Sequence, residues 1–113
     1  MRAINATKER ELAFVVVIAD SALKRMKGLL GRETLEDGHS LLLKPCKGIH
    51  TIGMRFPIDV IFLDKRNVAI AVKRNLPPNR FTQLYIKATR VLELPAGILS
   101  ATKTEVGDVI EIV

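Results

Sequence analysis

The stretch IHTIGMRFPIDVIFLD, residues 49–64, decides the fold because its second half has the pattern of a strand with two apolar faces. Strand alternation over residues 58–63 places three apolar side chains on one face, and two apolar side chains with Asp59 on the other. Such a strand is expected to be covered on both sides. An ionised carboxylate in apolar surroundings needs hydrogen-bond donors, so we expect Asp59 to be buried and hydrogen-bonded.

Several groups near Asp59 in the sequence could supply those donors. The candidates are Arg55, Arg90, the Thr51 hydroxyl, His50, and backbone N–H groups freed by a bend at Phe56-Pro57, where proline cannot donate to a strand ladder. Two interpretations of Asp59 stay open at this point. It either fixes the bend as a structural residue, or it serves as a general base or ligand anchor.

The rest of the chain predicts a mainly β fold. A chain of 113 residues with 48% hydrophobic residues predicts one domain over residues 1–113. Aromatic residues make up only 4% and tryptophan is absent, so the core must be aliphatic, which favours strands. Extended segments are predicted at 3–7, 12–19, 40–44, 47–55, 58–64, 68–73, 84–94 and 109–113.

One helix is predicted at about residues 20–31. Asp20 or Ser21 is a suitable N-cap, Gly31 a suitable C-cap, and apolar residues at 22, 23, 26, 29 and 30 form one helical face. Met26 on this face is expected to pack in the core. A single helical turn is possible at 98–103. The predicted fold class is therefore β-rich α+β, a compact barrel or sandwich of short strands with one short helix.

Composition excludes several classes of protein. Cys46 is the only cysteine, so an intrachain disulfide is impossible, and a reducing compartment fits the chain. Neither a signal peptide nor an apolar run of membrane-spanning length is present, so we expect a cytoplasmic protein that does not contact a membrane. Gly-rich phosphate loops, dinucleotide fingerprints and G-x-S-x-G elbows are also missing, and no cofactor is predicted.

Charge is distributed unevenly along the chain. Residues 44–90 contain ten basic residues and only two acidic ones, a net charge of +8, whereas the remainder carries −2. This asymmetry indicates a small anionic ligand or an acidic protein partner, if the basic residues share a surface. Nucleic acid is supported weakly, because aromatic residues do not alternate with the basic ones.

Glu93, in VLELPAG, is a second carboxylate between apolar neighbours. If it lies close to Asp59, one of the two pKa values should rise, and the pair could perform acid–base chemistry. Cys46, His50 and His39 are too few and too irregularly spaced for a zinc site. A Cys46–His50 nucleophilic pair would need a bend near Gly48. No metal site is predicted.

Four segments in order, KGLLGR (27–32), IHTIGMRFPIDVIFLD (49–64), VLELPAG (91–97) and GDVI (107–110), resemble the domain of unknown function 192 family, a prokaryotic family of small domains. The resemblance covers nearly the whole chain and implies a mostly β fold with a short helix. The family pattern Met-x-x-Pro-x-Asp falls on Met54, Pro57 and Asp59, and its Leu-Glu followed by Ala-Gly falls on Leu92, Glu93, Ala96 and Gly97.

The resemblance also bears on His50. Family members that look cytoplasmic have His-Thr here, as at His50-Thr51, whereas exported members carry aromatic residues. A reaction shared by the family would therefore not depend on this imidazole. The family's Gly-Leu-Met is Gly28-Leu29-Leu30 in this chain, a change of packing residue.

Three functional hypotheses follow, and whether the protein is an enzyme stays open. The first is a non-catalytic module that binds a small ligand or peptide in a cleft formed by the 50–59 segment and Glu93. The second is a hydrolase or processing enzyme that uses Asp59 or Glu93. The third is a domain whose basic face binds an acidic partner or nucleic acid. The expected ligand-binding residues are His50, Thr51, Met54, Arg55, Asp59 and Glu93, with His50 exposed at the lip.

Overall fold

The computed structural model describes residues 1–113 and contains eight strands and two short helices. The mainly β class is therefore confirmed, and the possible helical turn near residue 98 is a second helix. In chain order the elements are β1 (Ala3–Asn5), β2 (Arg10–Ala13), β3 (Val15–Ala19), α1 (Ala22–Lys27), β4 (His39–Leu43), β5 (Ile58–Leu63), β6 (Ala69–Leu76), β7 (Arg90–Pro95), α2 (Ile98–Thr102) and β8 (Ile110–Ile112).

The strands form two sheets rather than a closed barrel. The larger sheet has the order β3-β4-β7-β5-β6, and the smaller one has the order β2-β1-β8. Within the larger sheet, β3 and β4 run parallel, joined by the crossover that contains α1, and the other neighbours are antiparallel. The arrangement is sandwich-like, and a sandwich was one of the two predicted forms.

Strand β5 lies in the interior of the larger sheet, between β7 and β6, and all six of its residues are buried. One face of the sheet packs against the smaller sheet and α2, in a core that includes Ile61, Leu92 and Leu99. The opposite face packs against the turn that follows α1 and against loops, in a second core that includes Leu29, Val60 and Phe62. The prediction that this strand is covered on both sides is confirmed.

The predicted strand at 12–19 is divided between the two sheets. Phe14 separates β2 from β3, and the backbone N–H groups of Phe14 and Val15 both donate to the Gly38 carbonyl, at 2.9 and 3.0 Å. This corner carries the chain from the smaller sheet into the larger one. The apolar, β-branched run of residues 12–19 continues through this corner, which is why the sequence predicted a single strand.

The first helix is shorter than predicted, and its apolar residues are not in the core. Helix α1 stops at Gly28, whose φ of 47° favours glycine. Leu29 is buried, but it enters the core from the turn after the helix. Leu23 and Met26 are 77% and 71% exposed, so the prediction that Met26 packs in the core is wrong.

The segments predicted to be extended at 47–55 and 84–88 are ordered loops. The 47–55 segment runs beside residues 81–85, with one isolated bridge between His50 and Phe81. Backbone hydrogen bonds from Thr82 to Ile49 and from Tyr85 to Lys47, both 2.9 Å, hold the loops together. Neither helix of the protein has the length and apolar character that a membrane crossing demands.

Candidate functional site

Asp59 is completely buried and all its hydrogen bonds come from backbone N–H groups. One carboxylate oxygen accepts from Asn75 at 2.8 Å. The other accepts from Gly97 at 3.1 Å and from Leu99 at 2.9 Å. The predicted burial and hydrogen bonding are confirmed. Backbone N–H groups were one of the predicted kinds of donor. The donors found belong to β6 and to the start of α2, and not to the segment around Pro57.

These contacts give Asp59 two structural tasks. It caps helix α2, whose N-cap residue Gly97 has no side chain to do so. It also fixes a bulge in β6, where the pairing shifts between Ile58 and Val60 and Asn75 has a φ of 52°. A bend or bulge is predicted at Phe56-Pro57. The chain bends at Arg55 and Phe56, whereas the bulge lies on the neighbouring strand, opposite Asp59.

Glu93 lies on the other face of the sheet from Asp59. Asp59 is paired with Leu94, whereas Glu93 is paired with Val60, and strand alternation sends the two carboxylates to opposite sides. Asp59 lies on the face that packs against the smaller sheet and α2, and Glu93 lies on the face that contains Val60 and Phe62. The two residues do not share a concavity, so the expectation of a joint Asp59–Glu93 site is corrected by the register of β5 and β7.

A cavity of about 350 Å³ lies between α1 and the 46–54 segment. Its volume falls in the range typical of sites for small ligands. Most of its lining is apolar, and the residues that matter for its chemistry are Arg25, Lys27, Cys46, His50, Met54 and Glu93. The structure thus brings together three of the six predicted ligand-binding residues, His50, Met54 and Glu93.

The other three predicted residues lie outside this cavity. Thr51 is fully buried, and its hydroxyl donates to the Pro77 carbonyl at 2.7 Å and accepts from the Arg80 N–H at 2.9 Å. Arg55 is exposed and pairs with Glu33 at 3.6 Å. Thr51 therefore holds the 77–80 loop in place, and Arg55 offsets no charge at Asp59 or Glu93.

Thr51→Val is expected to lower the free energy of unfolding by about 2 kcal/mol, because two partly buried hydrogen bonds to backbone groups are lost without a change of shape. Thr51→Ser keeps the hydroxyl and should cost less than about 1 kcal/mol. Urea denaturation of both variants measures the difference. Equal losses for the two variants would show that the methyl group, not the hydroxyl, anchors the loop.

Glu93 is the polar centre of the cavity. It is only 4% exposed and makes no hydrogen bond or ion pair with the protein. Burial raises the pKa of its carboxyl group to about 8, because an apolar environment disfavours the charged form. Glu93 is therefore mainly protonated at neutral pH, and it can donate as well as accept a hydrogen bond.

Cys46 and His50 border the same space. Burial raises the pKa of the Cys46 thiol, and the neighbouring Glu93 also contributes to the increase. The Cys46 thiol donates to the Gly48 carbonyl at 3.2 Å. His50 is exposed as expected, its Nδ1 accepts from the Ile52 N–H at 3.3 Å, and its ring lies 6.0 Å from that of Phe81. A neutral thiol is a poor nucleophile, so the geometry does not favour a Cys46–His50 nucleophilic pair. For a metal site, no three metal-ligating side chains come close enough to hold an ion.

Helix α1 supplies the cavity residues that sequence reasoning missed. Arg25 is half-buried and donates to the Lys44 carbonyl at 3.2 Å, and Met26 and Lys27 complete this wall. The only feature of the sequence that indicated this wall was the apolar face of the predicted helix. Such a face has the same pattern of residues whether it lines a cavity or packs in a core. A second cavity of about 380 Å³ near α2 has Asp37 as its only charged residue.

The chain matches the family model DUF192, described as "Uncharacterized ACR", over residues 3–112. The chain belongs to the DUF192 family. Curated relatives include an UPF0127 protein of Pyrococcus furiosus, 35% identical over 96% of this chain and 95% of the relative. Another, from Thermococcus sibiricus, is 32% identical over 96% of this chain and 72% of the relative. The resemblance seen in the four sequence segments is thus confirmed for this DUF192 chain.

Two solved structures share the DUF192 chain's fold. A protein of unknown function from Novosphingobium aromaticivorans has a TM-score of 0.87 at 19% identity, covering 99% of this chain and 84% of that one. A putative transcription regulator from Sinorhizobium meliloti has a TM-score of 0.79 at 22% identity, covering 97% and 89%. At these identities the likeness concerns the fold alone.

Proposed function

We propose that the protein is a non-catalytic binding module and that its ligand occupies the cavity between α1 and the 46–54 segment. The observation that carries the proposal is Glu93, a nearly buried carboxyl group without a protein partner that faces this cavity. Buried polar groups are otherwise almost always hydrogen-bonded. A ligand would supply the missing partner, and the apolar lining would take up its hydrocarbon part.

The acid–base hypothesis gains no support from the geometry. An Asp59–Glu93 pair is not available for it, because the Asp59 carboxylate is committed to three backbone N–H groups on the other face of the sheet. Cys46 and His50 line the cavity with Glu93, but their hydrogen bonds go to Gly48 and Ile52 and not to Glu93. The basic-face hypothesis stays a prediction, with an acidic protein or nucleic acid as partner. A strong dependence of binding on salt concentration would support it.

The methionines provide a direct test of the proposed cavity. Met26 and Met54 line it, whereas Met1 is exposed elsewhere. With ¹³C-methyl methionine, titration by 1-hexanol, hexanoate and hexylamine is expected to shift the Met26 and Met54 signals with at least one probe and to leave Met1 unchanged. If none of the three probes shifts Met26 and Met54, or if all three methionines shift together, the proposal is wrong.

Two matched variants identify which of the two cavities the probe occupies. Ala22 is an exposed residue of α1 that borders the proposed cavity, and Ala101 is an exposed residue of α2 that borders the second one. Ala22→Phe is expected to abolish the methionine shifts by filling the space, whereas Ala101→Phe should leave them intact. The reverse result would assign binding to the second cavity.

A further inference from the structure

The cavity wall carries two cations without counter-ions. Arg25 and Lys27 line the cavity, and neither forms an ion pair. Their neighbour Lys24 does, with Asp20 at 3.7 Å. Arg25 uses a single N–H on the Lys44 carbonyl. Since a guanidinium group has five N–H donors, most of this group remains available to an anion.

Glu93 is the only carboxyl group in the lining. Because it is mainly protonated at neutral pH, it does not cancel the positive charge of Arg25 and Lys27. A buried carboxylic acid kept neutral in this way can donate a hydrogen bond to a ligand oxygen. An amine ligand would instead face two positive charges and no carboxylate, which disfavours it.

We propose, building on the binding function above, that the ligand is an aliphatic carboxylic acid whose carboxylate is held between Arg25 and Glu93. Arg25 opposes the charge of the carboxylate, since guanidinium and carboxylate form strong charge-assisted hydrogen bonds. Glu93 donates its proton to the same group or to a neighbouring oxygen. The apolar lining, with Met54 and Leu29, surrounds the chain of the acid. A free acid and the C-terminus of a peptide with apolar residues share this chemistry.

The proposal couples binding to the proton on Glu93. The other charged or titratable groups of the cavity are Arg25, Lys27, Cys46 and His50. His39 and Lys73 belong to the same face of the sheet by register but do not line the cavity. Once Glu93 is ionised it repels a carboxylate. Hexanoate affinity should therefore be nearly constant between about pH 5.5 and about pH 7, where the probe is ionised and Glu93 is protonated, and fall up to about tenfold per pH unit once Glu93 ionises.

Three six-carbon probes separate the possible ligand classes. Isothermal titration at pH 7 is expected to show that hexanoate binds at least about tenfold more tightly than 1-hexanol, and that hexylamine binds most weakly. If hexylamine binds better than hexanoate, or if 1-hexanol binds equally well, this proposal is wrong although the binding module stands. If none binds and none shifts the methionine signals, the binding module itself fails.

Variants assign the roles of the two residues. Arg25→Gln is expected to weaken hexanoate about tenfold or more and to leave 1-hexanol unchanged. Arg10→Gln, on the exposed side of β2, should affect neither. Glu93→Gln keeps a neutral hydrogen-bond donor, so hexanoate should still bind but lose its dependence on pH above 7. Hexanoate binding that ignores Arg25→Gln, or a pH dependence that survives Glu93→Gln, would overturn the assignment.

Two peptides distinguish the sources of the carboxylate. N-acetyl-Leu-Leu with a free C-terminus and the same peptide with a C-terminal amide differ only in the charged group. If the free peptide binds more tightly than hexanoate and the amide at least about tenfold more weakly, the carboxylate is supplied by a peptide. If hexanoate binds more tightly than the free peptide, it is supplied by a free acid. An amide that binds as tightly as the free peptide contradicts carboxylate recognition.

Discussion

Replacing Asp59 with alanine is expected to lower the free energy of unfolding by about 4 kcal/mol. The side chain satisfies three backbone N–H groups, those of Asn75, Gly97 and Leu99. Alanine leaves all three without an acceptor, and burial keeps water from replacing the carboxylate. Two elements are destabilised together, because the same carboxylate caps α2 and fixes the bulge in β6.

Two controls identify the cause of the loss. Asp59→Asn retains one acceptor oxygen and should cost about half as much as alanine. Asp37→Ala removes an exposed carboxylate and should change stability by less than about 0.5 kcal/mol. Hydrogen exchange should show the amides of Leu99 and Asn75 losing protection in Asp59→Ala. A loss below about 1 kcal/mol, with protection intact, would mean that water replaces the carboxylate.

The burial of Asp59 could be predicted from sequence, but its donors could not. Apolar residues on both sides of it in the strand indicate a covered carboxylate whatever the rest of the fold. The donors of its hydrogen bonds lie 16, 38 and 40 residues further along the chain. Their positions depend on how β5 pairs with β6 and β7. The nearby candidates Arg55 and His50 were closer in sequence and play no part.

The same limit explains the separation of Asp59 and Glu93. Each was recognisable as a carboxyl group among apolar neighbours, and both are buried. Which face each occupies depends on register, since a shift of one residue moves every side chain of a strand to the other face. Strands that are apolar on both faces do not fix the register by their pattern. The sequence therefore located both residues but could not place them relative to each other.

Helix α1 shows how periodicity can mislead about a site. Spacing of apolar residues by three and four predicts a helical face that needs covering. In this protein the helix is six residues long and buries none of its residues, so Leu23 and Met26 remain exposed, and of these two only Met26 borders the cavity. A face that borders a cavity and a face that packs in a core have the same sequence pattern. Arg25 and Lys27 were not predicted as site residues, because they lie outside the basic segment 44–90.

The wild-type protein is expected to become less stable as pH rises from about 4.5 to about 8. The pKa of Glu93 is about 8 in the folded protein, against an ordinary value of 4.5. Between these values the unfolded chain releases the proton while the folded protein retains it. The folded state then binds more protons, so the free energy of unfolding falls with pH. Over about 3.5 pH units at 1.36 kcal/mol each, the loss is on the order of 5 kcal/mol.

Other shifted groups act outside this window. The pKa of Asp64 is lowered, mainly by the hydrogen bond from the Val68 N–H. Burial would raise the pKa of Asp108, but hydrogen bonds from Asn5 and Lys8 outweigh it and lower the value. Both carboxylates therefore add stability that is lost only as pH falls below their ordinary value of 3.8. The thiol of Cys46 acts above its ordinary value of 9.0.

Glu93→Gln isolates the effect, because glutamine has nearly the same shape and never ionises. Urea denaturation at pH 5, 6, 7 and 8 should give a falling free energy of unfolding for the wild type and a nearly flat one for the variant. At pH 5 the two proteins should have similar stability, and at pH 8 the variant should be more stable by several kcal/mol. Glu111→Gln, which changes an exposed carboxylate on β8, should keep the wild-type slope. Parallel curves for the wild type and Glu93→Gln would mean that water or a rearranged side chain already solvates the ionised carboxylate, and the protonated donor proposed for ligand binding would then be absent at neutral pH.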